Sequence, residues 1–133
     1  MSAIQDRNTP FKDGELMPLL VAAATLIYAG TIVVANAAGF AEPGSTATGL
    51  AYLGRADTAV DNSVGVAGAA VVLVRRGKVF KFANAGADPV TQASVGRLAY
   101  IVDDQTVAAT SGTGTRSAAG IVLGVEADGV WIQ

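Results

Sequence analysis

The sequence predicts an all-β fold, a compact sandwich or barrel of short antiparallel strands led by an extended N-terminal arm. Three observations carry this. Short runs rich in β-branched residues recur between turn signals built from Gly, Asn and Asp. No useful length of chain repeats its apolar residues with the 3.6-residue period of a helix. The chain is 51% hydrophobic and 15% charged, yet aromatics make up only 6%, so the apolar content is mostly Ala, Val and Gly, which suits thin, closely packed strands. At 133 residues the chain forms one domain, and so much apolar surface in so short a chain is expected to be buried partly between subunits. The division read from the sequence is an arm over 1–15 and a single β-rich domain over 16–133.

Residues 1–15 mix Asp6, Arg7, Lys12, Asp13 and Glu15 with Pro10 and Gly14, the composition of a segment poorly ordered on its own. They lack the basic start and immediate apolar core of a secretory signal. Phe11 is the one large apolar side chain able to anchor such an arm on a neighbour, with Ile4 second. Charge is then absent from Leu16 to Ala41, far enough to cross a bilayer. Thr25, Ile27, Thr31, Ile32, Val33 and Val34 are β-branched and favour extended chain. Gly30 and the "NAAG" at 36–39 cut the run into strand-sized pieces, and the flanking cations, Lys12 and Arg55, give no positive-inside signal. The stretch therefore reads as strands: one at 31–36, a turn at 37–39 and a return through Phe40. The one part with any helical character is 16–24.

The same rhythm continues. Residues 49–56 read as a strand and 59–68 as a turn-rich link. Residues 69–82 read as a hairpin with its tip near Arg76 and Gly77, Phe80 and Phe82 on one side and Lys81 on the other. A loop follows at 83–96, then strand, Asp103-Asp104 turn and short strand over 97–108, and a flexible loop over 110–120. Residues 121–133 read as a hairpin turning on Asp128 and Gly129. A two-residue type I′ turn there pairs Ala127 with Val130, Glu126 with Trp131 and Val125 with Ile132. Val125, Ala127, Val130 and Ile132 then face the core, and Trp131 lies on the opposite face beside Glu126 and near Gly124. A lone outward Trp is covered either by a second layer of its own chain or by a partner. Trp is enriched among interface anchors, so Trp131 and Glu126, with Ile4 and Phe11 of the arm, are the candidate contact residues.

Chemistry is sparse. With no histidine and no cysteine, disulfides, thiol nucleophiles, the usual zinc sites and Ser-His-Asp catalysis are excluded. The "GTGTRSAAG" at 112–120 lacks the Lys-Ser/Thr of a phosphate-binding P-loop and reads as a surface loop. Asp103 and Asp104 have no third acidic neighbour to complete a calcium site and read as a solvated turn. Arg75, Arg76, Lys78 and Lys81 form the one basic cluster, but a net charge of −2 argues against a nucleic-acid surface. No acid–base pair or activated nucleophile assembles from these spacings, so neither an enzyme nor a cofactor is expected.

The segments "IYAGTIVVANAAGFAEP", "GLAYLGRADTAVDNS", "VLVRRGKVFKFANAGADPVTQASVGRLAYIVDDQTVA" and "AAGIVLGVEADGVWIQ" together resemble the small capsid decoration (cement) proteins of tailed bacteriophages and prophages. The likeness runs from about Leu16 to Gln133, and its most telling parts are "RRGKVFKF", "YIVDDQTVA" and "GIVLGVEADGVWIQ". The resemblance implies a β-rich virion protein, made in the bacterial cytoplasm, that assembles as a homotrimer on the outer capsid surface. There its partner is the major capsid protein, whose neighbouring copies it bridges; nucleic acid and membrane are not partners. The family brings no catalytic residues to carry over. Rival readings are another virion component, such as a capsid or tail-tube subunit, and a β-barrel module that binds a host-surface ligand.

Overall fold

The computed structural model describes residues 1–10 and 12–133. The chain is all-β, as the strand-sized runs predict, but it winds into two units that share a wall. The first is a five-stranded antiparallel sheet built from β1 (Leu16–Leu20), β3 (Ile32–Ala35), β4 (Ala41–Pro43), β5 (Ala51–Ala56) and β7 (Val71–Arg75), in the order β1-β7-β5-β3-β4. An isolated parallel bridge between Val21 and Ala41 ties its two outer strands together at one point. A ribbon of β2 (Thr25–Ile27) and β6 (Val60–Asn62) stands beside it. The second unit is a small closed barrel of β8 (Phe80–Asn84), β9 (Leu98–Ile101), β10 (Thr106–Ala108), β11 (Ala118–Glu126) and β12 (Gly129–Ile132), in the order β10-β8-β12-β11-β9. The pair β8 with β10 is parallel, and β9 with β10, antiparallel, closes the ring.

The shared wall is β3. Ile32 and Val34 enter the barrel core with Phe82, Ile101, Val107 and Ile132, whereas Val33 between them enters the sheet core with Val21, Ile27, Val72 and Val74. All three are fully buried. Period-two alternation normally leaves every second residue facing water, so a continuous "IVV" is what a strand with a core on each side demands.

The apolar stretch at 16–41 is divided among strands as predicted, and no helix of the described residues is long and apolar enough to cross a membrane. Residues 16–20, where the sequence has some helical character, form β1 instead. Its edge position explains Pro18. Arg76 N–H donates to Glu15 C=O (2.7 Å) and Val21 N–H to Ala70 C=O (3.0 Å), so odd-numbered residues face β7 and the donor that Pro18 lacks would have pointed off the sheet. The 59–68 link contains β6, held by Asn62, whose buried amide donates to Ala22 C=O (2.9 Å) and Val66 C=O (3.0 Å).

Two register expectations are corrected. Residues 69–82 are not a hairpin: β7 pairs with β1 and β5, and β8 pairs with β12 and β10. Gly77 does turn the chain, at φ +70°, but both edges of β7 are already occupied, so the chain crosses to the barrel. At the C-terminus Glu126 pairs with Gly129, Val125 with Val130 and Gly124 with Trp131, so the two-residue loop is Ala127-Asp128 rather than Asp128-Gly129. Ala127 is consequently exposed in the turn, not in the core. A bulge at Leu123 then brings Val122, fully buried, opposite Ile132. The predicted faces of β12 survive: Val130 and Ile132 point inward and Trp131 outward.

Candidate interface site

Trp131 sits on the outer wall of the barrel, half-buried, in the middle of β12. Its neighbours across the ladder are Gly124 on β11 and Lys81 on β8. Gly124 offers no side chain, and a Cβ built there would lie 3.6 Å from the indole Cδ1, so the ring rests over bare backbone. The Lys81 ammonium lies 5.5 Å from the ring centroid, in cation–π range. It also donates to Asp128 Oδ2 at 2.8 Å and lies 3.5 Å from Glu126 Oε2. The hydrogen bond with Asp128 is the main reason that the Lys81 ammonium is held above, and the Asp128 carboxyl below, its ordinary pKa.

Strand alternation extends this outer face into an apolar row. Leu98 on β9 pairs with Ile121 on β11, and Leu123 follows two residues on; they are 43%, 37% and 47% exposed. Val122 between them points into the core. Ile121 exchanges backbone hydrogen bonds with Gln133 (2.9 and 3.0 Å), two residues beyond Trp131, which sets the row beside the indole.

Of the predicted contact residues, the structure brings Trp131 and Glu126 together, with Lys81 between them. Ile4, 91% exposed, takes no part in this group, and Phe11 lies outside the described residues. Sequence reasoning missed Lys81, Asp128 and the Leu98–Ile121–Leu123 row. The alternation in "GIVLGV" was the available signal, since a barrel strand with Val122 inward must turn Ile121 and Leu123 outward.

The basic cluster does not stay together as one open patch. The Arg75 and Arg55 guanidiniums both reach Asp57 Oδ1 at 3.0 Å, and the Asp57 carboxyl is lowered, first by the Arg75 hydrogen bond. Lys78 pairs with Glu15 (3.0 Å), and Arg76 Nε donates to the Leu53 carbonyl (3.1 Å). Phe80 and Phe82, the aromatics nearest in sequence, are 8% and 5% exposed in the barrel core, with Arg55 stacked 5.1 Å from the Phe80 centroid. Neither ring is open to stack on a base.

Of the stretch read as a flexible loop, residues 118–120 already belong to β11, and the part before them is tied to Asp88. Asp88 accepts from Thr110 N–H (3.1 Å), the Thr110 hydroxyl (2.6 Å) and Arg116 Nη1 (2.8 Å), and its carboxyl is lowered chiefly by the Thr110 hydroxyl. Asp103 accepts from Gln105 N–H (2.9 Å), closing its own turn. Among the described residues no three acidic side chains gather as a metal site. Comparison with protein-family models, with characterised proteins and with solved structures finds no match to this chain.

Proposed function

We propose that this chain is a structural virion protein, a decoration (cement) protein that binds the outside of a phage head as a homotrimer and bridges neighbouring major capsid proteins. The observation that carries the reading is the outer barrel wall, where half-buried Trp131 adjoins the exposed row Leu98, Ile121 and Leu123 while the barrel core beneath is already filled. Among the described residues this row stays exposed. Covering the area that each of the three aliphatic residues still exposes contributes about 2 kcal/mol at ~25 cal/mol per Å². Association itself costs about 4–15 kcal/mol, so one such contact binds weakly and several acting together bind well. A closed three-fold arrangement supplies that multiplicity, and it suits a protein whose task is to hold a shell together rather than to catalyse.

Mass spectrometry of purified particles tests the reading, through the presence of the chain and its stoichiometry against the major capsid protein. Light scattering of the isolated protein should report about three times the 13.3 kDa chain mass. Absence from purified particles, or a stable monomer at high concentration, overturns it.

A further inference from the structure

The sheet face that carries the barrel runs on past it. Cross-strand partners share a face, and the register Ile32–Arg55–Arg75–Leu16 takes one face across β3, β5, β7 and β1. On β3 and β5 the barrel covers this face, since Ile32 and Val34 lie in the barrel core and Tyr52 packs against it. On β7 and β1 the face is bare: Leu16, Leu20 and Val71 are 38%, 51% and 48% exposed, Pro18 is exposed and Leu73 is half-buried. We infer that the outer barrel wall of a second copy of this chain covers the β1–β7 shelf, so that Trp131 and the Leu98–Ile121–Leu123 row of one subunit lie on Leu20, Val71 and Leu73 of the next.

Area, charge and symmetry each select a second copy. Leu98, Ile121 and Leu123 on the wall, and Leu16, Leu20 and Val71 on the shelf, leave similar areas open. Each set supplies on the order of 250 Å², about half the apolar part of a standard ~800 Å² patch, before Trp131, Pro18 and Leu73 are added. At one end of the shelf the cations Arg55, Arg75, Arg76 and Lys78 meet only the carboxylates Asp57 and Glu15, four against two, a net +2. At the hairpin end of the wall Lys81 stands between Glu126 and Asp128, one against two, a net −1. Arg97, the cation next to Leu98, is on the β9 side of the wall, across β12 and β11 from Lys81. Setting the hairpin end on the Arg75 end therefore brings opposite charges together while the apolar rows overlap. A ring of three needs two different patches on each subunit, and the wall and the shelf are two. The inference rests on the trimer proposed above and assigns its contact.

The test uses the full chain, which has no cysteine of its own. Leu123→Cys and Val71→Cys, both at exposed positions, are produced singly and by co-expression and are treated with a short bismaleimide. Co-expressed subunits should give covalent dimers, and the double variant covalent trimers, while neither single variant cross-links to itself. Val71→Asp should shift the light-scattering mass from trimer to monomer with unchanged circular dichroism. Leu26→Asp, at a residue 39% exposed on the separate β2–β6 ribbon, should leave the trimer intact. Self-cross-linking of Leu123→Cys, no mixed product from a sample of trimer mass, or a trimer that survives Val71→Asp or is equally sensitive to Leu26→Asp overturns this docking and leaves the proposed function standing. A native chain that stays monomeric at every concentration overturns both.

Discussion

Replacing Trp131 by Ala separates an interface residue from a core residue most directly when it is set beside Ile132→Ala, one position along the same strand. Ile132 is fully buried among the barrel side chains, so truncation leaves a cavity and costs about 2–5 kcal/mol. Trp131 is half-buried over Gly124, and what it gives the isolated fold is that partial cover and the Lys81 cation–π contact. The latter contributes about 0.5–1 kcal/mol at an exposed site, and the area that the indole covers beyond what Ala would cover, on the order of 100 Å², contributes about 2.5–3 kcal/mol at ~25 cal/mol per Å², so the whole loss is about 3–4 kcal/mol. An unfolding entropy near 2.1 cal/mol/K per residue comes to roughly 0.28 kcal/mol/K for this chain, which converts those losses to Tm shifts of about 11–14 °C for Trp131→Ala and 7–18 °C for Ile132→Ala, ranges that overlap. Far-UV circular dichroism reads both melts without needing the indole. Under the proposed role the two variants, alike in melting, part in an oligomerisation or capsid-binding assay on the folded fraction, where Trp131→Ala is the more damaging. A Trp131→Ala variant whose folded fraction assembles as well as that of Ile132→Ala would refute the reasoning.

Three further outcomes follow from particular contacts. Gly120→Ala should destabilise the barrel strongly, because a Cβ there collides with the Gln133 backbone, whereas Gly124→Ala meets only ordinary contact with Trp131; paired melts of the two variants check this. Asp57 carries a folded pKa below its ordinary 3.8, so its contribution is present above about pH 4 and is lost as pH falls through the folded value. The stability gap between the native chain and Asp57→Asn should therefore be widest near neutrality and close in strong acid, as read by denaturant titrations across pH. Deleting residues 1–10, all exposed, should move Tm by no more than about 2 °C, the effect of surface changes within ±0.5 kcal/mol, and a larger drop would mean that they pack on the fold.

Strand existence was legible because β-branched runs and turn residues are local. Partner choice was not, because it depends on which edges remain free. Gly77 signals a turn correctly, yet β7 already has β1 on one side and β5 on the other, so the reversal leads to a different unit. The Asp128-Gly129 pair misled for a different reason. Gly in a hairpin usually supplies positive φ, but Gly129 is needed where β12 approaches β8: a Cβ there would sit 2.7 Å from Lys81 Cγ and 2.8 Å from the Phe82 carbonyl oxygen. The turn moves back by one residue, and the bulge at Leu123 takes up the offset, so the faces predicted for Val130, Trp131 and Ile132 hold although the pairing does not. β6 escaped notice because Val60–Asn62 is short and turn-like; its anchor, the Asn62 amide, works through tertiary contacts with Ala22 and Val66. At the candidate site, Trp131 and Glu126 were legible from alternation, while Lys81 entered only through a strand forty-five residues upstream of Glu126.

A strand that belongs to two cores also decides how the molecule bears force. β3 is hydrogen-bonded along both edges, to β4 and β5, and its two faces carry side chains of opposite units. A pull applied to the barrel wall through Trp131 and resisted at the far sheet loads β3 in series. Parting the two units withdraws Ile32 and Val34 from the barrel interior, and unfolding the sheet removes the same two side chains from the barrel together with β3. Neither half can give way first and leave the other as a slack tether. The rupture force is then set by the whole fold rather than by its weaker half, and single-molecule extension should show one unfolding peak in place of two.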